Sequence, residues 1–179
     1  NVVVSGSYSQ TADIGGTNLT SNGSTDAFLW KLDNAGNSVW ARGFGGSAID
    51  GATGVDVASN GDVVATGFFS GTVDFDPGAG VQNQTSAGGT DAFVLRLSAA
   101  AGNLVWVRQM GGSGADRGED VDVTPAGNIT TTGSYTGTVD FNPGGGTNNL
   151  NSTGSTDGFI QQLTSAGNYR WAQSFGNAG

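Results

Sequence analysis

The chain has no cysteine and no histidine among its 179 residues. The first absence excludes a disulfide scaffold and thiol chemistry, and the second removes the commonest general base and metal ligand. Charge is also scarce, at 12% of residues, and positive charge scarcer still. Six Lys and Arg against fifteen Asp and Glu leave a net charge of −9 and a pI near 4.1. That balance argues against nucleic acid, whose binders present a basic face, and against an anionic membrane surface. No apolar run approaches the roughly 18 residues of a membrane-crossing helix, and no secretory leader is recognisable. The chain opens without Met, inside the strand-like run Val2-Val3-Val4, and reads as a mature or partial chain.

Glycine is abundant instead, at 33 residues, where an average protein has about 7%. Gly, Ser, Thr and Asn with little charge resemble a disordered composition, but such chains lack aromatics and β-branched residues. Here nine Phe, four Trp and many Val stand in short runs between glycines. Short apolar runs separated by turn residues predict many short strands and an all-β fold.

The runs repeat. Trp40, Trp106 and Trp171 stand 66 and 65 residues apart, and Asp26, Asp91 and Asp157 stand 65 and 66 apart. Gly6, Gly67 and Gly133 are spaced 61 and 66, the first interval being short because repeat one lacks residues after Asp13. Independent landmarks in one register give about 2.75 repeats of some 65 residues, bounded as 1–46 (first strand missing), 47–112 and 113–179.

Each full repeat predicts four strands. Val55-Asp56-Val57 is the first, and the second runs from Asp62 to about Phe69. The third is Ala92 to Leu97, and the fourth carries Trp106. Gly36-Asn37, Gly102-Asn103 and Gly167-Asn168 supply the positive φ of a hairpin before the fourth strand. In the third strand Phe93, Leu95 and Leu97 share one face while Val94 lies on the other. Two apolar faces suit a sheet stacked between two neighbours, whereas a two-sheet sandwich needs only one. Repeated four-stranded antiparallel units with radial packing make a β-propeller, each unit a blade.

The set Trp-x-x-x-Phe-Gly-Gly, Gly-Asn, Thr-Gly-x-Phe/Tyr-x-Gly-Thr-x-Asp-Phe and Thr-Asp-Ala-Phe resembles the bacterial SBBP (seven-bladed β-propeller) repeat over essentially the whole chain. The insertion Asp74-Phe75-Asp76-Pro77-Gly78 is similar to versions in large secreted proteins of Bacteroidetes-like bacteria. The resemblance implies a propeller and an extracellular, cell-surface location, and no particular activity. Repeat one departs from the pattern, lacking the first strand and the Asp-Pro-Gly insertion.

Several residues are candidates for chemistry. Asp74 and Asp76 flank Phe75 and point the same way on an extended chain, and Asp140 and Asn142 repeat the pattern. Such oxygens suit Ca²⁺, or an Asx turn opening a Pro-Gly corner. Asp116, Glu119, Asp120 and Asp122 form a second acidic group. A glycosidase pair there competes with a solvated or turn-capping role. Without His, and with Lys31 and Arg96 on strands, no enzyme is expected. Trp40, Trp106 and Trp171 suggest core in every repeat rather than sugar platforms, and Trp30, between Phe28 and Leu32, suggests the same. Sequons at Asn18, Asn22, Asn83, Asn128 and Asn151 are candidate glycosylation sites, four of them in the loop before the Asp-Ala/Gly-Phe strand.

The function expected is a non-catalytic structural and interaction module of a secreted bacterial surface or fibre protein. A carbohydrate-binding propeller, with sugar sites between blades, is the alternative. Bare apolar faces call for partners, either further blades of a longer chain or other copies joined head-to-tail in a ring or filament.

Overall fold

The structure, a computed structural model, describes residues 1–177, and every regular element in them is a β-strand. A first, three-stranded sheet joins β1 (Val2–Tyr8), β4 (Asp26–Leu32) and β5 (Ser38–Phe44), with a side hairpin of β2 (Thr11–Ile14) and β3 (Thr17–Thr20). The second sheet runs β6 (Gly51–Val57), β7 (Val63–Phe69), β10 (Asp91–Leu97) and β11 (Leu104–Met110). Its hairpin is β8 (Thr72–Asp74) with β9 (Asn83–Thr85). The third repeats this order with β12 (Arg117–Val123), β13 (Ile129–Tyr135), β16 (Asp157–Leu163) and β17 (Tyr169–Phe175), and a hairpin of β14 (Thr138–Asp140) and β15 (Asn149–Asn151). All pairings within the sheets are antiparallel.

The four-strand repeat is thus present, its turns made as the glycines require. Gly36, Gly102 and Gly167 have φ of 82°, 63° and 75°, a region that costs an L-residue strain. Two features differ from the sequence expectation. The stretch after the second strand is a separate two-stranded hairpin, not a Pro-Gly corner alone. Repeat one, although it lacks Asp-Pro-Gly, builds the same hairpin with the tighter turn Gly15-Gly16, φ 61° and 84°.

The hairpins complete the cores. Phe75 and Phe141 are 1% and 0% exposed. Phe75 sits 5.3 Å from Phe69 and 5.0 Å from Phe93, and Phe141 sits 5.3 Å from Tyr135 and 4.7 Å from Phe159, ring centre to ring centre. Burying each ring stabilises the fold by about 1.5–3 kcal/mol.

Strand alternation sends the two faces of the second sheet into two different cores. Its leading face (Val63, Ala65, Phe69, Phe93, Leu95, Leu97) meets Ala27, Leu29, Trp40 and Phe44 of the first sheet. Its trailing face (Val64, Ala92, Val94, Trp106, Met110) meets Val121, Ile129, Tyr135, Phe159 and Leu163 of the third. Phe93 and Trp106 are therefore both buried in one sheet, but on opposite faces. The backbones of adjacent sheets come closest where β6 meets β1 and β12. A Cβ added to Gly54 would lie 2.7 Å from the Cα of Asp120, so only glycine permits that approach.

Candidate functional site

The junction between sheets is the construction that this chain makes twice. At the turn end, Trp40 Nε1 donates to the carbonyl of Ala99 at 3.3 Å, and Trp106 Nε1 donates to Ser165 at 3.1 Å. Cations on the strands reinforce these bonds. Lys31 Nζ donates to the carbonyls of Gly61 and Ala99, both at 2.9 Å, and Arg96 Nη1 donates to Ser165 at 2.6 Å. Arg42 reaches the carbonyl of Ala101, and Arg108 Nε that of Gly167 at 2.9 Å. Nearer the first strands, Thr53 Oγ1 donates to Gly118 at 2.6 Å and Asp56 Oδ2 accepts the Val123 N–H at 2.7 Å. Lys31 is 3% exposed, so its charge is held by carbonyls rather than by water.

The opposite end of each junction is tied by buried carboxylates. Asp50 accepts the N–H of Gly46 at 2.7 Å and of Ser70 at 2.9 Å, and Asp116 accepts those of Gly112 at 2.7 Å and Thr136 at 3.0 Å. Beside them Asp26, Asp91 and Asp157 accept the N–H of Asn22, Ala87 and Thr153 on Oδ2. Their Oδ1 atoms are buried and have no hydrogen-bond partner. A Cβ on Gly45, Gly111 or Gly176 would come within 2.1, 2.0 and 2.1 Å of these three carboxyl groups, so only glycine lets the backbone pack directly against them. Burial pushes the carboxyls of Asp26, Asp50, Asp91 and Asp116 above the ordinary carboxylate range, and neighbouring amides only partly offset it. The sequence shows these groups only as landmarks. The signal that could have marked them is the paired spacing of 24 from Asp26 to Asp50 and 25 from Asp91 to Asp116.

Asp74, Asp76 and Asp140 form Asx turns. Asp74 Oδ1 accepts the N–H of Asp76 at 3.0 Å and of Gln82 at 2.7 Å, and Asp76 Oδ1 accepts that of Gly78 at 2.8 Å. Asp140 Oδ1 accepts those of Asn142 and Asn148 at 2.9 and 2.8 Å. Among the described residues no three His, Cys, Asp or Glu gather as a metal-binding group.

The second acidic group comes apart. Asp116 is buried in its clamp, while Glu119, ion-paired to Arg117 at 3.0 Å, and Asp120 and Asp122 are exposed along β12. Of the sequons, Asn18, Asn83 and Asn151 lie exposed on the second strands of the side hairpins rather than in loops. Asn22 is exposed with its amide donating to Gly45, and Asn128 is half-buried, accepting from Arg170.

The tryptophans divide. Trp40 and Trp106 are core, 5% and 9% exposed, as their pattern requires. Trp171 is 36% exposed and Phe175 62%, because no sheet among the described residues covers the trailing face of the third. Trp30 is half-buried on the leading face of the first sheet, its Nε1 bonded to Ser38 Oγ. Clefts are small. One of about 260 Å³ at the turns between second and third sheets is lined by Asn60, Arg96, Pro125 and Ser165. Another of about 400 Å³ lies by Asp76, Gln82 and Arg108.

No family model and no curated protein matches this chain.

Proposed function

We propose that the chain is a non-catalytic structural and interaction module of a secreted bacterial surface or fibre protein, built from propeller-type blades. The observation that carries this reading is the junction itself. An equivalent tryptophan, a cation (Lys31 or Arg96) at one equivalent position and a buried aspartate join each sheet to the next. Close approach on the first-strand side supports a fan of blades about an axis on that side. The resemblance to SBBP repeats supports the extracellular placement.

The polar groups support a scaffold over an active site. The buried carboxylates accept backbone amides that tie loops together, and Lys31 and Arg96 are spent on carbonyls across the junctions. A second reading, a carbohydrate-binding surface, is favoured by one observation. Exposed Trp171 lies directly opposite Gln162, and Gln173 opposite Ile160, an indole beside amides of the kind on which a sugar ring stacks.

A glycan array with the purified chain separates the two readings. The structural module gives no saturable signal. Saturable binding that Trp171→Ala abolishes would transfer the function to sugar recognition. Antibody labelling of intact producing cells tests the surface location, and a signal only after lysis would refute it.

A further inference from the structure

We infer that the core between the second and third sheets holds a buried water molecule, bound by Thr131, Gln161 and Asn148. The site is interior to the chain, in the junction between its two four-stranded sheets.

One row of residues across the leading face of each sheet makes the comparison. In the second sheet Leu95 lies between Ala65 and Val107, and all three are buried hydrocarbon. In the third sheet Gln161 takes that place, between Thr131 and Ala172. Thr131 and Gln161 are both 0% exposed. Two polar side chains thus stand where hydrocarbon fills the preceding junction. Burying such groups is costly unless each finds a hydrogen-bond partner.

Their bonding is incomplete. Gln161 Nε2 donates to the carbonyl of Phe141 at 2.6 Å. That bond fixes the amide, because a flipped amide would set two acceptors face to face. Gln161 Oε1 is then left buried with no hydrogen-bond partner, and so is Thr131 Oγ1. The fold does satisfy a buried threonine elsewhere, since Thr66 Oγ1 donates to the carbonyl of Phe93 at 2.7 Å. A third such group comes from the side hairpin. The carbonyl of Asn148 accepts the Phe141 N–H at 3.0 Å, and Asn148 Nδ2 is buried without a partner. Phe141 connects the set: Gln161 bonds its carbonyl, Asn148 pairs with its N–H, and Thr131 lies directly opposite Gln161.

The three atoms complement one water. Gln161 Oε1 only accepts, Asn148 Nδ2 only donates, and a threonine hydroxyl does either. A water among them donates to Gln161, accepts from Asn148 and takes either role toward Thr131. That satisfies the two to four polar partners a buried water needs. The surrounding hydrocarbon is trimmed. Ala172 beside Gln161 replaces Val107 beside Leu95. Across the junction, Val94 and Met110 stand where Leu29 and Phe44 face the second sheet. Each replacement is smaller, which leaves room around the added oxygens. The set carries no charge, so a neutral molecule fits it, whereas a cation would be buried without compensation.

A high-resolution crystal structure of the chain is the direct test. The expected result is an ordered water within hydrogen-bond distance of both Thr131 Oγ1 and Gln161 Oε1. A dry site, or a Thr131 hydroxyl bonded straight to Gln161 Oε1, overturns the inference. Oxygen-17 relaxation dispersion of the solvent counts long-lived waters in solution. The double variant Thr131→Ala/Gln161→Leu copies the Ala65–Leu95 pair and should lose one such water relative to wild type, its fold being checked by circular dichroism. Gln161→Met, close in length and without the acceptor, replaces it if the double variant does not fold, with the same loss expected. An unchanged count in the folded variant overturns the inference.

Discussion

Truncating equivalent tryptophans to alanine separates core from surface within one repeat family. Trp106 and Trp171 share residue type, strand and register, yet are 9% and 36% exposed. A buried tryptophan removes about 150–250 Å² from water, which at about 25 cal/mol/Å² corresponds to roughly 4–6 kcal/mol. That is an upper figure, because the unfolded chain buries part of this area already. Trp106→Ala is therefore expected to cost about 3–5 kcal/mol, including about 1 kcal/mol for the bond to Ser165. Trp171 has its own sheet on one side and solvent on the other. It still keeps about two-thirds of its area from water, so its loss should cost about 1.5–3 kcal/mol on the same area scale. The assay is urea unfolding followed by circular dichroism, at concentrations low enough to keep the chain monomeric. A difference of about 1.5–2 kcal/mol moves the midpoint by about 0.75–1 M more for Trp106→Ala, taking a slope of about 2 kcal/mol/M. Equal midpoint shifts for the two variants would refute the assignment of Trp106 to an interior junction.

Gly111→Ala places a methyl group 2.0 Å from the Asp91 carboxyl carbon and should destabilise by about 1–3 kcal/mol through overpacking. A neutral effect in the same urea assay would mean that the clamp is loose. Asp74→Ala removes the oxygen that accepts two backbone N–H groups and should cost about 1–3 kcal/mol, equally with Ca²⁺ and with chelator. A loss that appears only with Ca²⁺ present would assign the site to the metal. The pH dependence follows from four raised carboxyls, Asp26, Asp50, Asp91 and Asp116. Their native pKa lies above the unfolded value of about 3.9, so their contribution is full below that value and is lost as pH rises through the native one. Asp62 acts the other way. Burial raises it, but the Asn60 amide, the Ala99 N–H and Arg96 together outweigh that and hold it low. Its contribution is present above about pH 3.9 and fades as pH falls through its native value. Stability should therefore increase from pH 7 to mild acid, with a flatter profile in Asp91→Asn. A steady decline from pH 7 to pH 5 in dilute fluorescence-monitored urea titrations would contradict the clamp picture.

The 65-residue register, the four strands and the hairpin glycines were legible in the sequence because each rests on local chemistry. Strand faces follow from alternation, and Gly36, Gly102 and Gly167 answer to a positive φ that few other residues tolerate. The two apolar faces of the third strand likewise announced a sheet covered on both sides, and Phe93 and Val94 do enter separate cores. Non-local placement decided the rest. Trp40, Trp106 and Trp171 are alike in sequence, and among the described residues only the first two have a neighbouring sheet over them, which buries them and leaves Trp171 36% exposed. Phe75 reads as part of a corner until the side hairpin folds it onto Phe69 and Phe93. Asp91 is one polar residue among many until Gly111 closes over it. Burial depends on what lies across a junction, and residues some 60 positions apart meet there only after the sheets have stacked.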